Sequence, residues 1–244
     1  MAVPESDSEE LSSPMTEEQL RKVTVGELKP FDSQITLSEY DPTWPKQFAR
    51  EAERIRAALG PRALRIEHVG STSVPGLIAK PIIDILLVVA NSSDEPSYIP
   101  ALEKAGYVLR IREPDWHQHR LFKGPDTNIN LHVFTVGSEE IERVLALRDR
   151  LRNNPSERDL YVEAKRELAS RKWKYVQNYA DAKSKVVEGI VSRARASTGN
   201  ILLREMTESD LPILLSTNWT PTQRGWPPFQ PGTGMLSWRT RTKS

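Results

Sequence analysis

The sequence predicts an α/β protein, in which a small mixed sheet is followed by a C-terminal helical group. Between residues 64 and 136, short apolar runs rich in β-branched residues are separated by turn residues, which is typical of strands. From residue 139 onward, apolar residues recur at helical spacing instead. Strands first and helices last favour one sheet covered by helices.

The individual elements follow from these patterns in chain order. Strands are predicted at 35–37, 64–69, 82–90, 107–112, 119–123 and 129–136. Helices are predicted at about 43–59, 98–105, 139–153, 157–170 and 173–195. The run Ile82 to Ala90 is continuous enough to predict a strand buried on both faces, with Asp84 inside it.

The periodic signal is nearly confined to residues 34–197. Residues 1–33 are acidic, so we expect the first dozen to be disordered and the rest to be a weakly held lead-in. In the segment 198–244, Ile201 to Leu215 resembles the opening of a Gcn5-related acetyltransferase domain, followed by a Pro/Gly/Trp-rich tail. The segment is too short for such a domain, so we expect a truncated and mostly disordered end without acetyl transfer.

The composition excludes several classes of protein. The 34 basic and 33 acidic residues leave a net charge of +1, so no global field favours nucleic acid or an anionic membrane. The chain has no cysteine, which excludes disulfide frameworks and cysteine zinc sites. Neither a membrane-spanning run nor a secretory signal is present, and we therefore expect a cytoplasmic protein.

The most informative segment is a loop of small hydroxyl residues that leads from one predicted strand to the next. Gly70-Ser71-Thr72-Ser73 follows the strand ending at Val69, and its backbone amides and hydroxyls could surround an anion. Asp84 lies in the next strand, where a carboxylate is costly unless it is paired, protonated or metal-bound. A purely structural turn is the alternative, but the loop, its spacing and the acid together favour a ligand site.

The sequence from His68 to Ile85 resembles the GrpB-like family of the nucleotidyltransferase superfamily, whose members resemble DNA polymerase β. The segments "HVGSTSVPGL" and "IAKPIIDI" carry the resemblance, which extends over about residues 34–196. It implies a sheet of nucleotidyltransferase type, a phosphate-bearing ligand such as a nucleotide, and Mg²⁺ bound by Asp84. One departure stands out, because the superfamily's second acid would fall at position 86, which is Leu86. Full transferase activity is therefore in doubt.

Each of the three C-terminal helices places a cation on or beside its apolar stripe. These cations are Arg148, Lys165 and Lys183. Snorkelling stems or ion pairs with Asp84 or Asp149 would explain any one of them. Three together are equally compatible with a shared anion, for which a polyphosphate would be suitable.

None of the four histidines has the helical spacing of a metal site. For His117 and His119 we expect a solvated loop rather than a zinc site, with Asp115 as the nearby acid. His132 lies in a predicted inner strand. It is either a core histidine with its hydrogen bonds satisfied or a ligand group facing Asp84.

These observations lead to two main functional hypotheses. The first is an enzyme that transfers a nucleotidyl or related phosphoryl group, with Ser71 and Asp84 as the catalytic residues. The second is a module that binds a nucleotide or another phosphate-bearing ligand and has lost transfer chemistry; a scaffold with a structural turn is a third. The candidate ligand-binding residues are His68, Gly70, Ser71, Thr72, Ser73, Lys80, His132, Arg148, Lys165 and Lys183.

Overall fold

The core of the protein is a five-stranded mixed sheet. The structure is a computed structural model that describes residues 15–30 and 35–199. The strands are β1 (Arg65–Val69), β2 (Ile83–Val89), β3 (Val108–Glu113), β4 (His119–Lys123) and β5 (Ile129–Thr135). Their spatial order is β1-β2-β5-β4-β3, so β2 and β5 lie at the centre.

Only the central pair of strands is parallel. β2 pairs with β5 in parallel, while β1 with β2, β4 with β5 and β3 with β4 are antiparallel. The register places Asp84 beside Asn130 and Leu86 beside His132. The predicted α/β fold with a small mixed sheet is confirmed.

Helices lie against both faces of the sheet. They are α1 (Glu17–Val23), α2 (Trp44–Leu59), α3 (Ile99–Lys104), α4 (Glu139–Asn153), α5 (Pro155–Ala169), α6 (Val176–Ala182) and α7 (Ser184–Gly199). Because strand side chains alternate between faces, Ile83, Ile85 and Leu87 pack with α2 and α3 in the largest apolar cluster. Leu86 and Val88 point the other way, onto α4.

The loop between β1 and β2 is held by the C-terminal helices. Val74 and Leu77, both with no exposed surface, pack with Tyr161 of α5 and with Val187 and Ile190 of α7. The apolar stripes that predicted these helices therefore cover the loop as well as the sheet, and they position it relative to Asp84.

Two predicted elements differ from the structure. The helix predicted at 173–195 is interrupted after Ala182, so Lys183 lies between α6 and α7 rather than on a continuous apolar stripe. In place of a strand at 35–37, there is a single antiparallel bridge between Ser38 and Ala79. Both errors have one cause: apolar spacing indicates which side of a segment is buried but does not locate a break in its hydrogen bonds.

The described part of the lead-in is held more closely than its composition predicts. Helix α1 begins with a capping box between Thr16 and Gln19, and it buries Leu20 to 3% exposure. Beyond the helix, the Val25 N–H donates to the Arg110 carbonyl at 2.8 Å, against edge strand β3. The predicted disorder of the first dozen residues, the acetyltransferase-like segment and the tail lie outside the described residues. Across the residues described, no helix is both long and apolar enough to cross a membrane.

Candidate functional site

Asp84 lies near the start of central strand β2, with 29% of its side chain exposed. Its Oδ1 accepts a hydrogen bond of 2.7 Å from Nδ2 of Asn130, the neighbouring residue on β5. The Nε2 atom of His132 is 3.8 Å from the same oxygen. The carboxylate is therefore half-buried and reachable, with polar neighbours supplied by β5.

The surroundings of Asp84 keep its carboxylate ionised. Burial on its own would raise the pKa of this group. The protonated form of the His132 ring, the Asn130 hydrogen bond and the charge of Lys183 outweigh burial, so the pKa of Asp84 lies below its ordinary value.

Gly70 brings the loop backbone directly against the Asp84 carboxylate. A Cβ atom at position 70 would lie 2.3 Å from Oδ2 of Asp84, and the residue has a φ of +67°. Both the contact and the left-handed backbone require glycine. The loop and the acid that the sequence singled out are therefore direct neighbours.

The hydroxyl groups of the loop have different roles. Thr72 Oγ1 donates to the Ile82 carbonyl at 3.2 Å, and Ser73 Oγ donates to the Gly70 carbonyl at 2.6 Å. These two buried hydroxyls close the turn, which is a structural role. Ser71 is half-buried and makes no side-chain hydrogen bond within the described part of the chain, so its hydroxyl is the one that a ligand could use.

Four lysines from four different parts of the chain lie around Asp84, and we call them the lysine cluster. They are Lys80 in the loop before β2, Lys123 at the end of β4, Lys165 in α5 and Lys183 after α6. The charge of Asp84 raises the pKa of Lys80, Lys123 and Lys165, and Lys183 lowers that of Asp84. The sequence singled out three of these four and missed Lys123, because a single lysine at a strand end has no periodic signal.

Most side chains of the lysine cluster are poorly solvated, which lowers the pKa values of Lys80, Lys123 and Lys165. Burial, together with Lys183 and Lys123, lowers the pKa of Lys80 to about 8. Burial and Lys183 lower the pKa of Lys165 to about 7, and its Nζ donates to the Ile78 carbonyl at 2.5 Å. Lys123 donates to Oδ1 of Asn130 at 2.5 Å. Lys183 lies over the Tyr179 ring, 4.6 Å from its centroid.

Arg148 does not join the lysine cluster. Its Nη1 donates to Glu67 at 2.9 Å, and its Nε donates to Asp149 at 2.7 Å. Of the two explanations offered by the sequence, the ion pair with Asp149 is therefore the one that applies to Arg148. It lies beside edge strand β1 in a groove of about 320 Å³, lined by Tyr40, Pro45, Phe48, Glu67, His68, Ser73, Pro75, Arg148 and Arg152.

His68 lines the same groove. Its ring stacks on Phe48 with centroids 4.8 Å apart, and its Nε2 is 3.1 Å from Oγ1 of Thr72. Burial, with Arg152 and Arg148 adding to it, lowers the pKa of His68 to about 4. His68 is thus a neutral packing residue at the base of the loop, and it contacts the loop rather than Asp84.

The prediction of a solvated loop is correct for His117 and wrong for His119. His117 is exposed, whereas His119 lies in β4 and is 4% exposed. The acid near His119 is Glu113, whose Oε2 is 2.6 Å from Nδ1 of the ring. Glu113 is opposite His119 in the antiparallel β3–β4 pair, a proximity that becomes visible only once the strand pairing is known.

Few protein ligands for a metal ion converge on Asp84 in the described part of the chain. Within residues 15–30 and 35–199, no group of three or more histidine, aspartate or glutamate side chains converges to hold an ion. Leu86 has no exposed surface and packs with Val69, Val88 and Phe134 against α4, so the position of the superfamily's second acid belongs to the core. Asp84 would be the single protein carboxylate for a magnesium ion.

The mixed sheet and the helical group define a nucleotidyltransferase-like α/β protein. A family model described as GrpB protein matches residues 34–193, and the chain belongs to that family. A UPF0157 protein of Halalkalibacterium halodurans is 64% identical over 186 residues, which cover 76% of this chain and 95% of that protein.

A solved structure and a more distant relative complete the comparison. The crystal structure of conserved protein GrpB from Enterococcus faecalis is similar with a TM-score of 0.60 and 32% sequence identity. The similarity covers 68% of this chain and all of that one. A dephospho-CoA kinase of Mycolicibacterium paratuberculosis is 29% identical over 163 residues, which cover 56% of this chain and 40% of the kinase.

Proposed function

We propose that the chain binds a phosphate-bearing small molecule on the lysine cluster beside Asp84. The observation that carries this proposal is the convergence of four lysine side chains on one carboxylate. Asp84 and Asp181, which lies near Lys183, are two carboxylates against four lysines, so lysines outnumber acids at the site. A phosphate group with several anionic oxygens would balance that excess.

The lowered pKa values of two lysines support an anion rather than a neutral ligand. Lys80 and Lys165 are both held below the ordinary lysine pKa by burial and by neighbouring cations. A phosphate would favour the charged form of both amines and would relieve the repulsion between them. Binding would therefore recover free energy that the unliganded protein loses in this cluster.

Nucleotidyl transfer is the weaker candidate. In that reaction two metal ions hold the attacking and leaving oxygens, and the position that would supply the second carboxylate is a buried leucine. Magnesium would arrive with the phosphates of the ligand, and Asp84 would hold it as the single protein ligand. The side chains support binding more directly than they support transfer.

Thermal unfolding tests the binding proposal. Tripolyphosphate, ATP and dephospho-CoA would be added with and without magnesium, the last because part of a kinase named for it is similar to this chain. Tripolyphosphate at a hundred times its Kd should stabilise the protein by about 2.7 kcal/mol. We expect Lys183→Gln to weaken binding about tenfold, the effect of losing one charge-assisted hydrogen bond.

Lys185→Gln is the matched control, because Lys185 is exposed and two residues away. It should bind tripolyphosphate like the unsubstituted protein. The proposal fails if no phosphate compound shifts the unfolding temperature at millimolar concentration, or if the two lysine variants behave alike.

Asp84→Asn separates binding from metal-dependent transfer. The substitution removes a negative charge next to the proposed anion and keeps an oxygen that can accept from Asn130. We therefore expect the variant to bind magnesium-free tripolyphosphate several-fold more tightly. Weaker binding, or binding that requires magnesium and is lost in the variant, would instead favour a metal-dependent enzyme.

A further inference from the structure

A row of short contacts between polar side chains crosses the sheet from β3 to β2. Glu113 Oε2 is 2.6 Å from His119 Nδ1, and His119 Nε2 is 3.0 Å from His132 Nδ1. His132 Nε2 then lies 3.8 Å from Oδ1 of Asp84. The strand registers place all four side chains on the same face of the sheet, and the two ring centroids are 5.2 Å apart.

The buried end of this row determines where its protons lie. His119 is 4% exposed, and burial, together with His132, lowers its pKa although Glu113 raises it. A neutral His119 has one N–H, and the Glu113 carboxylate accepts it from Nδ1. His119 Nε2 is then an acceptor, so His132 must donate from its Nδ1.

The open end of the row therefore presents acceptors to the site. With its proton on Nδ1, a neutral His132 has a bare Nε2 that faces Asp84. A separation of 3.8 Å is too long for a hydrogen bond between the two groups. Asp84 and His132 each have 29% of their side chain exposed, so a donor from outside can reach both.

The acceptor pair lies close to the lysine cluster. The Lys123 ammonium donates to the Asn130 amide, and the same amide donates to Asp84, so a single amide group separates cation and carboxylate. One compact molecule could therefore contact the lysines with an anionic group and the acceptor pair with a hydrogen-bond donor.

We propose that Asp84 and His132 each accept a hydrogen bond from one of two neighbouring hydroxyl groups of the ligand, which makes the ligand a phosphorylated diol or polyol. This inference rests on the proposed function, since the lysine cluster would hold the phosphate. Glu113 and His119 are positioning residues that keep the His132 lone pair directed at the ligand. Two neutral hydroxyl groups can supply one proton to each acceptor, whereas another anionic oxygen would be repelled by Asp84.

Nitrogen NMR of the imidazole rings tests the arrangement without any ligand. Protonated and bare ring nitrogens are resolved by their ¹⁵N shifts, and the exposed His117 serves as an internal reference. At a pH where His132 is neutral, we expect its Nδ1 to be protonated and its Nε2 to be bare. An Nε2–H tautomer in the unsubstituted protein would overturn the inference, because His132 would then donate to Asp84.

Calorimetric titration with two matched probes tests the ligand class. Glycerol 3-phosphate and n-propyl phosphate have the same charge and chain length, but only the first carries hydroxyl groups. We expect glycerol 3-phosphate to bind about tenfold more tightly, and His132→Phe to abolish that preference. His117→Asn is the control, because asparagine tolerates the positive φ of this exposed position.

The outcomes separate the two proposals. Equal affinity for both probes overturns the hydroxyl inference and leaves phosphate binding intact. A preference for glycerol 3-phosphate that survives in His132→Phe also overturns it. If neither probe nor tripolyphosphate binds, the proposed function fails, and this inference fails with it.

Discussion

At the scale of single residues, Gly70 brings the loop backbone against the Asp84 carboxylate. The glycine both turns the chain and leaves space for the carboxylate, and a Cβ there would lie 2.3 Å from Oδ2. Gly76, in the same loop, has a similar φ of +75° but has nothing within 4 Å of its Cβ position. Comparing the two positions therefore separates the effect of a positive φ from the effect of the contact with Asp84.

We expect Gly70→Ala to destabilise the protein clearly more than Gly76→Ala. Alanine at a positive φ costs about 1–3 kcal/mol at either position. At position 70 the contact with Asp84 adds about 1–3 kcal/mol of overpacking. Urea unfolding of both variants measures the difference, and equal losses would show that Asp84 moves aside without cost.

Lys165 is buried, and the pKa of its ammonium group is strongly lowered. It is 2% exposed, and burial and Lys183 lower its pKa to about 7. Below that pH, both the folded and the unfolded chain hold the proton, and the cost of burying the charge is present in full. Between about pH 7 and the ordinary value of 10.5, only the unfolded chain keeps it, so the contribution of Lys165 to stability rises with pH.

Lys165→Met should therefore stabilise the protein most at low pH. Methionine fills a similar volume without a charge, although the Ile78 carbonyl loses its donor. We expect the unfolding free energy of the variant relative to the unsubstituted protein to fall by a few kcal/mol between pH 6.5 and pH 9.5. Chemical denaturation at several pH values measures this difference in unfolding free energy. If the difference does not change with pH, the pKa of Lys165 is not lowered in the folded protein.

At the scale of elements, the parts with a strong apolar pattern were predictable and the parts defined by pairing were not. The strand predicted at 119–123 and the helix predicted at 139–153 match β4 and α4. The break before Lys183 was missed because apolar spacing continues across it. His119 was misassigned because its partners come from β3 and β5, and sequence alone does not give their register.

The lead-in also shows a limit of prediction from composition. Few apolar residues and many acids predicted weak attachment, yet specific hydrogen bonds hold the segment. The Met15 N–H donates to Asp181 at 3.0 Å, and the Asn178 side chain donates to the Met15 carbonyl at 2.9 Å. The lead-in thus holds α6, the helix that ends next to Lys183. It lies before residue 34, where the match to the family model begins.

Leu20→Ala should be costly if the lead-in folds with the rest of the protein. Leu20 is 3% exposed, and truncating a buried leucine typically costs about 2–5 kcal/mol. Leu160→Ala is the control, because Leu160 is 45% exposed and should change stability by less than about 0.5 kcal/mol. Urea unfolding compares the two, and similar small losses would mean that α1 detaches before the core unfolds.

At the scale of the whole molecule, the lysine cluster joins the sheet to the C-terminal helical group. Lys123 belongs to the sheet and Lys80 to the loop before it, while Lys165 and Lys183 come from the helical group. In the absence of an anion, these cations repel one another across the boundary between the layers. A bound phosphate would turn that repulsion into attraction on both sides, so we expect ligand binding to tie the helices to the sheet.

Hydrogen exchange with and without saturating tripolyphosphate measures this coupling. We expect amide exchange to slow in α5, in α6 and in the parallel pair β2 and β5, because the proposed ligand would connect these elements through Lys165, Lys183, Asp84 and its neighbour Asn130. Helices α2 and α3 pack on the opposite face of the sheet and serve as the internal control. Protection confined to the loop 70–80 would contradict the coupling, since the anion would then contact the loop without the helical lysines. Uniform protection that includes α2 and α3 would instead indicate global stabilisation, and Lys183→Gln should then reduce it everywhere by the same factor.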